Sequence, residues 1–337
     1  MTMSADEIAP VPPVPLFLFS MPRSGSTLLQ RLLATHAEVA TGPEPTFLLP
    51  LLHIASDDEV VATFDQRFTS WAVEDFLAST DDPDGTFDEM VRAAAAAADG
   101  RAAPAGARYF LDKTPKYHMI AGRLLTIFPD APGIVLWRNP LSIIASLMAT
   151  WGGGGGRWNL HHFRLDLFEA LPRLIDAVAE HGERVHVLRY EDLVADPHGT
   201  LEPMFAHLGL DYDPEAVERF GDVRLEGRVQ DPNVSQEAFR LVRADRVDQW
   251  TTILANPARK AWCRRYLRWL GAERMAAMGY DLEATLADLD ALDTGRRFLA
   301  SDLVLMPYDV CYRVFELGLF AKKLRDARAG RPTLAHK

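Results

Sequence analysis

Residues 16–33 read LFLFSMPRSGSTLLQRLL. An apolar run from Val14 to Phe19 breaks into a small, polar turn between Ser20 and Ser26. A helical apolar pattern then resumes at Leu28, Leu29, Leu32 and Leu33. The order is strand, tight loop, helix start. Gly25 lets the backbone bend close to a ligand. The amides that open the helix, the hydroxyls of Ser24, Ser26 and Thr27, and the Arg23 guanidinium all offer donors to one small volume. Such a loop suits a phosphate-like anion, although an ordinary strand-to-helix turn with a good N-cap uses the same residue types. The nucleoside-triphosphate loop GxxxxGK[ST] needs a first Gly and a Lys beside the Ser/Thr, and residues 21–27 supply neither. A phosphate ester met by an arginine fits this stretch better than ATP with magnesium.

Working outward, the same alternation of apolar run and helical spacing recurs. Residues 109–115, YFLDKTP, read as a short strand whose end carries Asp112, Lys113 and Thr114, with a helix over 116–128. Residues 133–138, GIVLWR, form a third strand, followed by Asn139 as N-cap and Pro140 at the first helical position. Ser142 and Ser146 share one face of that helix, so Arg138 with these hydroxyls makes a second anion site. A fourth strand over 184–190 runs into another helix ending near Gly209. Helices alternating with strands predict a parallel sheet, whose strand ends are where ligands sit.

Between the first two strands, TGPEPT (41–46) sets Glu44 on a rigid turn near the end of the loop helix, either as a site carboxylate or as a solvated acid. Helices are expected over 46–56, 59–78 and 86–98, the last stopped by Gly100, with a flexible connection over 99–107. The pentaglycine 152–156 reads as a mobile loop at the mouth of the second anion site or as a neutral insertion. An amphipathic helix spans 161–181, opened by His161 and His162, which read as solvated. After a loop over 221–245 come Trp250 and a helix over 257–278. Beyond Asp281 a mostly helical segment continues to about 329, interrupted at Pro307.

With 337 residues, 48% hydrophobic, the chain can build a sizeable core. Its net charge of −11 argues against a broad nucleic-acid surface. Cys263 and Cys311 lie far apart without metal spacing and read as reduced thiols of a reducing compartment. Residues 1–13 read as a frayed arm without signal-peptide character, and no run reaches membrane-spanning length. The expected location is the cytoplasm.

Three blocks together, PRSGSTL (22–28), Arg138 with Ser146, and RYEDL (189–193), resemble the sulfotransferases that use 3′-phosphoadenosine 5′-phosphosulfate. The likeness covers roughly residues 14–280 and is nearest to the tyrosylprotein branch and the bacterial carbohydrate or natural-product branches. It implies an α/β three-layer sandwich with a P-loop-like central parallel sheet flanked by helices. The expected division is 1–13 arm, 14–283 sulfotransferase domain and 284–330 C-terminal helical extension. It further implies that Arg23, Ser24, Gly25, Ser26 and Thr27 bind the 5′-phosphosulfate, and that Arg138 and Ser146 bind the 3′-phosphate. Tyr190 falls near adenine. The position of the cytosolic branch's stacking Trp is Leu28, which stays in the cofactor-binding stretch while another aromatic, with Trp250 a candidate, takes the stack. That branch's catalytic His is absent from Lys113-Thr-Pro115. Glu44 therefore takes the base role of the tyrosylprotein branch, with Arg23 and Lys113 stabilising the leaving phosphate and His118 in reserve. The product would be adenosine 3′,5′-bisphosphate, with no metal required and an acceptor hydroxyl on a small molecule, lipid or glycan. No nucleic acid or transmembrane segment is implied, and the C-terminal helices offer a surface for a homo-oligomer. Two other readings share the strand–loop–helix: a small-molecule kinase and a non-catalytic nucleotide-binding scaffold.

Overall fold

The computed structural model describes residues 12–44, 46–54, 66–153, 156–225, 247–315 and 317–330. Most of the expected arm, the start of the helix expected over 59–78, two glycines of the pentaglycine and most of the loop over 221–245 lie outside them. β1 (Val14–Ser20) leads through the loop to α1 (Ser26–Leu33) and β2 (Val39–Thr41). Next come α2 (Leu48–His53), α3 (Gln66–Ala78), α4 (Pro83–Ala102), β3 (Tyr109–Asp112) and α5 (Ala121–Ile127). β4 (Gly133–Trp137), α6 (Pro140–Trp151), α7 (Leu171–His181) and β5 (Val185–Arg189) continue the alternation. The remainder is helical: α8 (Tyr190–Ala195), α9 (Pro197–His207), α10 (Ala216–Arg219), α11 (Gln249–Ile253) and α12 (Pro257–Ala277). It closes with α13 (Leu282–Ala291), α14 (Leu299–Val314) and α15 (Leu317–Arg328).

Among the described residues the sheet has five strands in the order β2-β3-β1-β4-β5, every pairing parallel. Successive side chains of a strand face opposite sides, so Phe17 and Phe19 enter one apolar layer while Leu16 and Leu18 enter the other. Burial on both faces is what makes β1 and β4 continuous apolar runs. This is the expected α/β sandwich. Because β3 and β4 flank β1, the chain leaving their carboxyl ends brings Lys113 and Arg138 to the two sides of the 21–25 loop.

Several element boundaries differ from expectation, each for a local reason. Gly100 does not stop α4, which runs to Ala102 because Phe87, Val91, Ala95 and Asp99 form one buried face. The stretch 161–181 is not one helix. Pro172 has no N–H to give, and the turn before it widens into a π-turn (Asp166–Ala170) in which the Leu171 amide reaches Asp166 O. The helix expected over 116–128 divides at Ile120 into a 3₁₀ turn (Pro115–Met119) and α5. Pro307 lies inside α14 without interrupting it. It is exposed, as is Leu303 at 63%, the residue four positions earlier whose carbonyl a proline has no N–H to pair. Cys263 is buried and Cys311 exposed, both free thiols. Among the described residues no helix is long and apolar enough to cross a membrane.

Candidate active site

The loop after β1 turns sharply because Arg23 (φ 72°) and Gly25 (φ 96°) both adopt left-handed backbone. That hands the chain to α1 with no acid in its first turn, and the leading amides of a helix have no intrahelical partner. The Tyr190 ring lies against the loop: a Cβ at Gly25 would come within 2.5 Å of it. Ser24 is fully buried and lines a cavity of about 10 Å³ with Trp137, Arg138 and Tyr266. Its hydroxyl thus has no solvent face, whereas Arg23 and Gly25 are half-buried.

Arg138, at the tip of β4, joins this loop directly. Its Nη1 donates to Arg23 O (2.7 Å) and its guanidinium stands 4.4 Å from the Tyr190 ring centroid. Burial pulls its pKa below the ordinary value, an effect that Tyr190 and Glu191 partly oppose, so a buried cation here favours an anionic neighbour. Arg23 Nε donates to Ser146 Oγ (3.3 Å), which brings the two expected anion sites into contact. The start of α6 is held by a network in which Asn139 is the expected N-cap, while the parts of Glu191 and Tyr280 in it were not expected. Asn139 caps Leu141 N (2.9 Å), its own amide donates to Glu191 Oε1 (3.0 Å), and Tyr280 OH donates to Glu191 Oε2 (2.6 Å). Glu191 stood in the RYEDL block and could have been found there. Tyr280 carried no local signal. Ser142 donates to Val247 O (3.1 Å) and so ties α6 to the chain ahead of α11.

On the opposite flank, Lys113 Nζ and Glu44 Oε1 form an ion pair at 2.6 Å, their side chains 3% and 18% exposed. Three ties hold the turn that carries Glu44. Gln30 of α1 donates to Thr41 Oγ1 (2.9 Å) and Gly42 O (2.8 Å), Thr46 N donates to Thr114 Oγ1 (3.2 Å), and Leu48 N donates to Tyr117 OH (3.2 Å). Thr114 donates in turn to Asp112 Oδ1 (3.2 Å). Burial pushes the Asp112 carboxyl up to about 7, helped by the nearby charge of Asp99, which burial likewise pushes up to about 7.

Other candidates fall elsewhere. His118 is fully buried, with Nδ1 against Pro115 O and Nε2 3.2 Å from Asp166 Oδ1. Burial works to raise Asp166, but the bond from His118 and the charge of Lys116 outweigh it and hold its carboxyl below the ordinary value. Trp250 is a core residue, 7% exposed. Trp151 stands beside the site instead. Its ring centroid lies 5.6 Å from the Arg23 guanidinium and 5.1 Å from the Phe163 ring, and it is 43% exposed. At the far end of the glycine run, Gly156 O accepts from Arg259 Nη2 (2.7 Å), and Arg259 forms a fully buried, two-bond pair with Asp302 (2.6 and 2.9 Å). Ile253 O and Asn256 complete that cluster.

Two arginines, linked through the Arg23 carbonyl and Ser146, thus stand at an acid-free helix N-terminus, and the carboxylate–ammonium pair lies at the tip of the neighbouring strand β3. Among the described residues no cluster of three or more His, Cys, Asp or Glu side chains could hold a metal ion.

The Sulfotransferase family profile matches residues 15–214, a span holding Arg23, Glu44, Lys113, Arg138, Ser146 and Tyr190. Over 268 residues the chain is 32% identical to the nodulation protein NoeE of Sinorhizobium fredii, covering 68% of this chain and 61% of that protein. It is 23% identical over 256 residues to an uncharacterised protein of Aquifex aeolicus, covering 70% of this chain and 30% of that one. The chain therefore spans less than two thirds of either relative. Among solved structures, the sulfotransferase domain from the curacin biosynthetic pathway superposes with a TM-score of 0.52 at 23% identity. That match covers 77% of this chain and 98% of that domain, a likeness of fold. The chain belongs to the sulfotransferase family.

Proposed function

We propose that the protein moves a sulfuryl group from 3′-phosphoadenosine 5′-phosphosulfate to an acceptor hydroxyl. The observation that carries this reading is the contact between the two anion sites, Arg138 on the Arg23 carbonyl and Arg23 on Ser146. A ligand with phosphate-type groups at both ends of one nucleoside matches two adjoining cationic sites better than ATP, which would leave one arginine without an anion. The donor, when bound, supplies the sulfuryl group and leaves as adenosine 3′,5′-bisphosphate. Arg23 and the α1 amides hold the 5′ end, and Arg138 with Ser146 holds the 3′ phosphate. Glu44 accepts the proton of the acceptor hydroxyl. Once Glu44 is neutral, the Lys113 ammonium loses its 2.6 Å counter-charge and can turn its charge, together with that of Arg23, to the departing oxygen. The half-exposed rings of Trp151 and Phe163 beside Arg23 suit an acceptor with an apolar or ring face, such as a small natural product, a lipid or a sugar.

Thermal-shift titration tests the donor. Adenosine 3′,5′-bisphosphate at one hundred times its Kd should stabilise the chain by about 2.7 kcal/mol, with no comparable rise from ATP and magnesium. A response to ATP and magnesium alone points to a kinase instead. Selective bisphosphate binding without turnover on any hydroxyl acceptor points to a nucleotide-binding scaffold.

A further inference from the structure

Away from the anion site, large exposed apolar side chains gather on the last two described helices. Leu303 and Val304 of α14 are 63% and 70% exposed, Phe315 just beyond it is 67% exposed, and Phe320 and Leu324 of α15 are 64% and 42% exposed. α15 also departs from the charge of the chain. It carries Lys322, Lys323, Arg325 and Arg328 against Asp326 alone, in a protein of net charge −11. At the angular step of an α-helix, Phe320, Leu324 and Ala327 fall within an arc of about 60°. Lys323 stands at one edge of that arc and Arg328 at the other. Long cationic side chains flanking an apolar strip can lay their stems along it and keep their charges at its rim.

We propose that α14 and α15 dock this protein on the surface of an anionic lipid bilayer. A short basic helix with an apolar strip is the pattern of a helix lying in the headgroup region. Among the described residues no helix is long and apolar enough to cross a membrane, and the proposed contact is with the bilayer surface. Charge selects this occupant over a second copy of the chain, because a two-fold dimer through α15 would set the same cations against each other. The first turn of α14, at the end away from α15, is tied toward the candidate active site. Asp302 of α14 binds Arg259, Arg259 binds Gly156 at one end of the glycine run, and Trp151 before the other end lies against Arg23.

Co-sedimentation of the full chain with vesicles tests this, using phosphatidylcholine alone and phosphatidylcholine with one third phosphatidylglycerol, at low and high salt. Binding is expected to the anionic vesicles only, with release at high salt. Reversing Lys322, Lys323, Arg325 and Arg328 to Glu should weaken partitioning at least about 100-fold, since each cation near such a surface contributes about five-fold. Phe320→Ser with Leu324→Ser should weaken it as well, and bisphosphate binding should persist in both variants. Failure to bind anionic vesicles at low salt overturns the proposal, as does equal binding to pure phosphatidylcholine. So does a dimer in solution that Phe320→Ser with Leu324→Ser converts to monomer, because a second copy would then cover the face. Should the charge-reversed variant fail to fold, the salt and lipid dependence of the parent chain decides.

Discussion

Glu44 and Lys113 are 69 positions apart in the chain and 2.6 Å apart at their charged atoms. Each was visible in the sequence as a charged residue at a turn or strand tip. Their pairing was not, because it depends on β3 lying between β2 and β1. If Glu44 takes the acceptor proton, Glu44→Gln should lower kcat by about 10²–10⁴-fold while bisphosphate affinity, read by thermal shift, stays within a few-fold. A fully active Gln variant would remove Glu44 from the chemistry. Gly25 was legible as a turn residue, whereas its contact with Tyr190 was not. With a Cβ placed 2.5 Å from that ring and a φ of 96°, Gly25→Ala should cost about 1–3 kcal/mol of stability and weaken bisphosphate binding. Unchanged melting and affinity would mean that the ring and loop can part at little cost. His118 illustrates the opposite limit: a histidine near a strand tip reads as a candidate base until its buried partners, Pro115 and Asp166, are in view.

At the scale of elements, the strands were the most legible part of the fold, because burial on both faces leaves an uninterrupted apolar run such as GIVLW in β4. Helix ends were less so. Gly100, Pro172 and Pro307 are local breakers whose effect is decided by what each helix packs against, information no short window holds. The clearest omission is the Arg259–Asp302 pair, which bonds α12 to α14 with both side chains fully buried. Asp302→Ala should destabilise the protein by about 3–5 kcal/mol, because it leaves a buried guanidinium without its counter-charge. Replacing both residues by Leu or Met should cost much less, and equal losses from the single and double changes, measured by denaturant unfolding, would show that the pair acts through packing alone.

Across the whole molecule, pH should act through Asp99 and Asp112, both raised from 3.8 to about 7 in the folded chain. A carboxyl raised on folding binds its proton more tightly in the native state. Its contribution is therefore complete below about pH 4, falls as pH climbs toward 7, and levels off above that. Asp99→Asn should accordingly be more stable than the parent at pH 8, by up to about 4 kcal/mol in denaturant unfolding, with the gap closing near pH 4. A gap that widens toward acid would reverse the assignment. The buried Arg259–Asp302 contact also has a consequence for biosynthesis. The sheet is complete in sequence once Arg189 has been made, but Arg259 must wait 43 more residues for its carboxylate, about 2–9 s at 5–20 residues per second. On the ribosome, the Arg259–Gly156 contact gains its buried counter-charge only after the sheet-forming part of the chain has been given time to fold.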